Sequence, residues 1–511
     1  MSIIEKKITK DGRREFSLKS PIDHSSLGSF TCATKEEISI ATEKAKLAQN
    51  KWSLLSYKER SSYMYSMIDT VIKNQDEIME VVMKETGKPK AEALSMEVYA
   101  AVDSLSFYAK RVEKFLKPRK IKLHGIMSFL KKAMIVHKPQ GVIGIITPWN
   151  GPFILALNPA VQALLAGNAV IIKPSEVTPF SSKLVEKLFL QSGLPEDLVQ
   201  VILGDGQTGA ELIDSNIDKV SFTGSVITGK KVAISCSEKL IPFTLELGGN
   251  DAMIVCDDAD IDKATSGALI GSCMNAGQYC CGTERIYVTE KNYDEFIKQL
   301  THKASNLIQN GKEDADVGAI AWDKQLDIIE EHVKLAIEEG AILHVGGKKN
   351  NSLPGLYFEP TVLSNVNHKM KIMNEETFGP IACVQKVTNE QEALNLANDS
   401  SYGLNGNIWT ENKEKGLRIA KLFNTGAVSI NDMAMSYGVN EVPFGGVKNS
   451  GLGLVNGAEG LKGYCHPMPI IIERFAKGPV SSYPYSDKTI KEMQGAIKVF
   501  WGNKLVRKLL G

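Results

Sequence analysis

The stretch Gly141-Val-Ile-Gly-Ile-Ile-Thr-Pro-Trp-Asn150 decides the fold. Its apolar run, Gly141 to Ile146, reads as a strand, and Pro148 closes it in a rigid turn that presents the Asn150 amide. Four more apolar runs follow, separated by helical segments: Ala169 to Ile172, Val199 to Leu203, Lys219 to Phe222 and Phe243 to Leu247. Strands alternating with helices in this way predict a parallel sheet with crossover helices, an α/β fold.

Ligands of such sheets bind beyond the carboxyl ends of the strands. Lys173 and Glu176 follow the run ending at Ile172, so they emerge at that end, where both could grip a ribose. A carboxylate at Glu176 accepts from ribose hydroxyls and would repel a 2′-phosphate, which favours NAD over NADP. The bland alternative is a solvated ion pair on a loop. Gly204-Asp-Gly-Gln-Thr-Gly209 has the literal spacing of a dinucleotide loop between strand and helix. The acid that should follow about 20 residues later is missing, because Gly224 stands there, so this loop alone is weak support.

Upstream, residues 34 to 116 read as consecutive amphipathic helices, with capping boxes at Thr34-Lys-Glu-Glu37 and Ser56-Tyr-Lys-Glu59 and a helix-ending turn at Thr86-Gly-Lys-Pro89. Trp52, Tyr63, Met64 and Met67 read as core contacts of these helices. Residues 119 to 140 become strand-like and basic and read as an exposed hairpin.

Two stretches carry chemistry. Asn275-Ala-Gly-Gln-Tyr-Cys-Cys281 places a thiol, Cys280, where Gly277 and neighbouring amides could give it the polar setting a thiolate needs. Leu245-Glu-Leu-Gly-Gly249 embeds a carboxylate, Glu246, in an apolar run, and desolvation raises its proton affinity toward that of a general base. The Asn150 amide can donate to a developing oxyanion. The competing reading of Cys280 and Cys281 is a pair of buried, inert thiols.

Taken in order, Pro148-Trp149-Asn150, Lys173-Pro-Ser-Glu176, Phe222-Thr-Gly-Ser225, Glu246-Leu-Gly-Gly249, Gly277-Gln-Tyr-Cys280, Glu375-Glu-Thr-Phe-Gly-Pro380 and Pro443-Phe-Gly-Gly446 resemble the aldehyde dehydrogenase superfamily. The resemblance runs from about residue 20 to about residue 470. It implies a Rossmann-like NAD-binding domain from residues 1–118 and 141–247, and an α/β catalytic domain over 248–447. It also implies a β-hairpin oligomerisation arm in which residues 119–140 join residues 463–480 through Pro469-Ile-Ile-Ile472. The assembly implied is a homodimer or homotetramer.

The same resemblance gives Cys280 as nucleophile, Glu246 as base and Asn150, with the Cys280 N–H, as oxyanion donors. Cofactor contacts fall at Ile146, Pro148, Trp149, Lys173, Ser175 and Glu176, and with Phe222, Gly224 and Ser225 around the pyrophosphate. Gly204, Gly206 and Leu247 are further contacts, and Glu376 and Phe378 hold the nicotinamide ribose and ring. No metal is implied. Glu246 implies hydrolysis to the free acid, because members that pass the acyl group to coenzyme A do not need this base.

Departures from the family bear on the substrate. Members acting on small aldehydes place aromatic rings where Gly151, Met274 and Gly438 stand here, so the tunnel reads as wide and the aldehyde as long or bulky and apolar. Tyr279, Tyr437 and Phe153 could refill that space. Phe444 is the apolar contact expected at the aldehyde entrance, and no Arg stands in these stretches. A small carboxylated semialdehyde is the alternative substrate.

Composition excludes other classes. A chain of 511 residues with 43% hydrophobic content can bury two or three cores, and a formal net charge of +1 gives no global pull toward nucleic acid. Eight cysteines without CxxC or Cys/His spacing point to a reducing compartment rather than to disulfides or zinc. No secretory signal is visible and no apolar run reaches the ~20 residues of a spanning helix, so the expected location is cytoplasmic, at most membrane-peripheral. The extension 481–511 contains a helix over Lys488 to Leu510 in which Ile490, Met493, Ile497, Trp501, Leu505 and Leu509 recur at steps of three or four. Six basic residues and one acid share that stretch, so it reads either as an interfacial helix or as one docked on protein. A catalytically idle member would have lost Cys280, Glu246 or Asn150, and all three are present.

Overall fold

The computed structural model describes residues 2–125, 127–433, 435–475, 483–502 and 504–510. The five apolar runs form one sheet. Val142–Ile146 lies in its interior, with Ala169–Lys173 and Val199–Val201 to one side and Lys219–Thr223 and Phe243–Glu246 to the other, all parallel. A short strand, Gly451–Leu452, adds antiparallel to Phe243–Glu246. The chain moves outward in one direction and then returns past its first strand. That reversal opens a crevice beyond the carboxyl ends of Val142–Ile146 and Lys219–Thr223, where open α/β sheets bind ligands.

The helices before this sheet form as their sequence dictates. Lys35–Trp52 and Tyr57–Lys73 each begin in a complete capping box, at Thr34/Glu37 and Ser56/Glu59. Gln75–Thr86 ends at Gly87, whose φ of +76° suits a residue without Cβ, and Ala319 Cβ would lie only 2.6 Å from an added Cβ there. Trp52, Met64 and Met67 are buried in the core under the first sheet, and the Tyr63 ring lies 5.2 Å from that of Trp52.

A second sheet carries the rest of the body. Its order is Ile342–Val345, Thr361–Ser364, Ile381–Val387, Thr283–Thr289, Asp251–Val255, Asn405–Trp409 and Ala427–Ile430, parallel except at the Ile342–Val345 edge. Separate apolar cores lie beneath the two sheets.

In a third sheet, Lys131–Pro139 pairs antiparallel with Arg119–Ile121 and with Cys465–Glu473, Pro469 facing Ile135 and Ile472 facing Lys132. Residues 476–480 of the arm lie outside the described residues. Sequence reasoning missed the N-terminal meander of Ile4–Ile8, Arg14–Lys19 and Ser26–Thr31, which closes a small core of Phe16, Leu18 and Phe30. The buried alternation of Phe16 and Leu18 was its signal. Among the described residues, no helix is long and apolar enough to cross a membrane.

Candidate active site

The nucleophile loop leaves helix Ile261–Cys273 and enters strand Thr283–Thr289. Asn275, Ala276 and Gly277 all occupy the left-handed region, with φ of 54°, 53° and 74°. Each non-glycine residue there costs about 1–2 kcal/mol, so the loop must be held by its surroundings. Asn275 Nδ2 donates to the carbonyls of Asn150 and Gln278 at 3.0 and 2.8 Å, and Ala321 N donates to Gln278 Oε1 at 2.8 Å. At Gly277 the Gly379 carbonyl fills the space a Cβ would need.

These restraints present two thiols of unequal character. Cys280 is half-buried and its Sγ lies 3.7 Å from that of Cys281, which is buried. The Cys281 thiol donates toward Cys280 and lowers its pKa, outweighing the opposing effect of burial, and the N–H groups of both residues add to the lowering. Burial pushes Cys281 well up, with the charge on Cys280 adding to it, so Cys281 stays a thiol. Sequence alone did not show that the second cysteine could activate the first. Replacing Cys281 with alanine should therefore raise the Cys280 pKa and move the acid limb of its alkylation rate to higher pH. The pH profile of iodoacetamide inactivation measures this.

Glu246 ends strand Phe243–Glu246 and is buried, and neither of its carboxylate oxygens has a hydrogen-bond partner among the described residues. Burial, and then the charge on Cys280, push its pKa well above the usual carboxylate range. Asn150 is buried at the end of the Val142–Ile146 strand turn, and its Nδ2 donates to Gln278 O at 3.1 Å. The amide has a second N–H for a reacting oxygen.

The crevice of about 470 Å³ at the sheet reversal gathers Ile146, Pro148 and Trp149 from one strand end with Lys173, Ser175 and Glu176 from the next. Phe222, Gly224, Ser225 and Gly206 also line it. Lys173 is buried, which lowers its pKa, and its Nζ lies 3.6 Å from the Glu176 carboxylate. Ser225 caps helix Val226–Glu238 by accepting from Thr228 N, so the amino end of that helix opens on the crevice. This arrangement fits a dinucleotide, with a cation and a carboxylate for the ribose and a helix terminus for phosphate.

Gly204 is not on that lining. It packs against the Thr208 side chain, and the next residue, Asp205, caps its helix and pairs with Arg14 at 2.5 Å. Leu247 is buried against Gly229 beneath the helix and also lies off the lining. Glu376 and Phe378 approach from the second sheet. Glu376 accepts from Gly249 N at 2.9 Å, and the Phe378 ring stands edge-on to Trp149 at 5.4 Å. Two further residues were not foreseen. Trp322 lines the crevice, and half-buried Glu284 accepts from Thr377 N and Phe378 N and so fixes the backbone that carries that ring.

The model of the aldehyde dehydrogenase family matches residues 8–469. The chain belongs to that family. It is 38% identical over 487 residues to the 4,4′-diapolycopene aldehyde oxidase of Methylomonas sp, covering 94% of this chain and 91% of the relative. It is 34% identical over 467 residues to a putative succinate-semialdehyde dehydrogenase [NADP(+)] of Mycolicibacterium smegmatis, covering 91% and 90%. Its fold matches that of the NAD-dependent aldehyde dehydrogenase of Sinorhizobium meliloti with a TM-score of 0.88, at 30% identity over 93% of this chain and 94% of the other.

In this aldehyde dehydrogenase the nucleophile loop and the Asn150 turn rest on one strut, the helical stretch Lys90–Leu116 with its π-helical turn at Ala93–Tyr99. Lys88 Nζ donates to Glu97 Oε1 and to the Asn150 carbonyl, both at 2.5 Å, and neither Lys88 nor Glu97 exposes its side chain. Glu97 Oε2 accepts from Phe153 N and Ile154 N, and Glu92 accepts from Asn275 N at 2.9 Å. Removing one partner of a buried pair leaves the other charge stranded. Lys88→Met should cost about 3–5 kcal/mol of stability, read by urea unfolding.

On the other side of Cys280 lie Leu404, Phe444 and Val455, with Tyr279 and Tyr437 packed among them. Phe153 does not refill this space, being buried in the first core instead. Leu155, also packed against that core, has its Cδ1 3.1 Å from where a Gly151 Cβ would stand. Among the described residues, only Met435 atoms, at 3.6 and 3.8 Å, come within 4 Å of such a Cβ at Gly438.

Proposed function

We propose that this enzyme oxidises a long or bulky apolar aldehyde to its free carboxylic acid with NAD, through a thioester on Cys280. The observation that carries the reading is a half-buried Cys280 thiol, 3.7 Å from the Cys281 sulfur, together with a buried Glu246 carboxylate that has no hydrogen-bond partner among the described residues. The Cys280 thiolate adds to the carbonyl carbon, and the oxyanion formed is held by the Asn150 amide and the Cys280 N–H. A dinucleotide held in the crevice by Lys173, Glu176 and the Ser225 helix terminus would supply the hydride acceptor for that carbon. Glu246 then takes a proton from water as its oxygen bonds to the thioester carbon, and the carbon–sulfur bond breaks to return the thiolate.

Three observations support the apolar substrate. The relative of highest identity among those above is named for a polyene aldehyde. Gly438 leaves room among the described residues, and Met435, Val439 and Val442 expose apolar surface along the segment that leads to Phe444, as does Leu454 beyond it. Arg111 does reach this segment, a contact the sequence did not show. It is paired with Glu441 at 3.8 Å and lies over the Phe107 ring. The semialdehyde alternative draws on the second relative's name. NAD is favoured because Glu176 lines the crevice. The arm sheet, with Ile471 and Ile472 exposed, is proposed to pair subunits into a dimer or tetramer.

Cofactor reduction by aldehydes from acetaldehyde to hexadecanal, beside succinic semialdehyde, with NAD and NADP in parallel, tests all of this. Rates should rise with chain length and with NAD. A clear preference for the semialdehyde removes the apolar reading, and activity confined to NADP removes the reading of Glu176.

A further inference from the structure

The C-terminal segment plays no part in this chemistry. It runs as helix Asp487–Ile497, capped by Ser486, passes through a π-helical turn at Lys498–Gly502 and continues as helix Lys504–Leu510. None of its residues whose burial is described is buried. Ile490, Met493, Ile497 and Trp501 stand 46–57% exposed, where a helix docked on its own body would have covered them. Successive four-residue steps overshoot a full turn by about 40° each, which would wind an apolar stripe around a straight helix. The π-helical turn at Lys498–Gly502 takes up an extra residue, which offsets that overshoot between Ile497 and Trp501.

Charge identifies the occupant of this face. Residues 488–510 hold six basic residues and one acid, in a chain whose formal net charge is +1. A second copy of the same face would bring cations against cations. The stripe also extends beyond the helix. Trp501 lies beside Gly125, its Cζ2 3.7 Å from where a Cβ would stand, and the neighbouring arm residues Met127 and Phe129 are exposed. Apolar side chains flanked by lysines are what a bilayer surface with anionic headgroups takes up, the chains entering the acyl boundary and the ammonium groups meeting phosphate.

We propose that residues 486–510, together with the tip of the arm, seat this enzyme on an anionic lipid surface. The inference does not depend on the identity of the aldehyde. It is tested with the full-length protein and sedimented vesicles of phosphatidylcholine, alone or with phosphatidylglycerol. Binding is expected to the mixed vesicles only and to fall steeply as salt rises. Met493→Glu with Ile497→Glu should abolish it. Lys488→Gln with Lys491→Gln and Lys498→Gln should weaken it by about two orders of magnitude, at about fivefold per charge. Turnover of a short soluble aldehyde should be unchanged in both variants.

Absence of binding by the unaltered protein overturns the proposal, as does equal binding by the Met493→Glu/Ile497→Glu variant. Size-exclusion chromatography covers the competing occupant. If that variant lowers the oligomeric state while the unaltered protein ignores vesicles, the face belongs to a second copy and the proposal fails.

Discussion

Cys280→Ala should lower aldehyde oxidation by about 10⁴-fold or more, because no other group near the reacting carbon can carry the acyl intermediate. Cys281 cannot replace it. That thiol is buried and its pKa is pushed well up, so it supplies neither access nor a thiolate. The alanine variant should still bind cofactor, since Cys280 is not among the residues that line the crevice around Trp149 and Lys173. Quenching of tryptophan fluorescence by the dinucleotide, measured beside turnover, separates lost chemistry from lost folding. Turnover that survives in the variant would remove the covalent mechanism.

Glu246→Gln should leave the first half of the reaction and stall the second. One equivalent of reduced cofactor per site is expected in a rapid burst, followed by a steady state slower by about 10²–10⁴-fold. The electrostatics support this division of labour. The charge on Cys280 is one of the two causes that raise the Glu246 pKa. Acylation removes that charge, so the carboxylate ionises more readily in the state that needs a base for water. The acid limb of kcat against pH should therefore lie above the ordinary carboxylate range in the parent enzyme and vanish in the glutamine variant. Rapid-mixing absorbance of the reduced cofactor decides the matter. A slowed burst would place Glu246 in the first step instead.

How far the sequence could be read depended on the range of the interaction involved. Strand and helix periodicity, the capping boxes at Thr34 and Ser56 and the αL turn at Gly87 are set by near neighbours, and these elements formed where expected. The strand read to Leu203 stops at Val201, and Gly204, though spaced as a dinucleotide glycine, turns toward Thr208. A spacing rule does not say which face of a loop meets the ligand. Phe153 misled for the same reason. It is near the site in sequence but its ring belongs to the other core.

Sequence by itself determined the α/β class, the order of the parallel strands' segments and the family, with Cys280, Glu246 and Asn150 as its candidate chemistry. Each of these rests on residue types at short, regular spacing, and such patterns survive without coordinates. Only the tertiary structure showed that the Cys281 thiol donates to Cys280 and lowers its pKa, while burial raises that of Cys281. Only it joined Lys88 to Asn150 across 62 positions and Glu92 to Asn275 across 183. Desolvation and contact between distant segments are properties of the packed chain, and no local pattern encodes them.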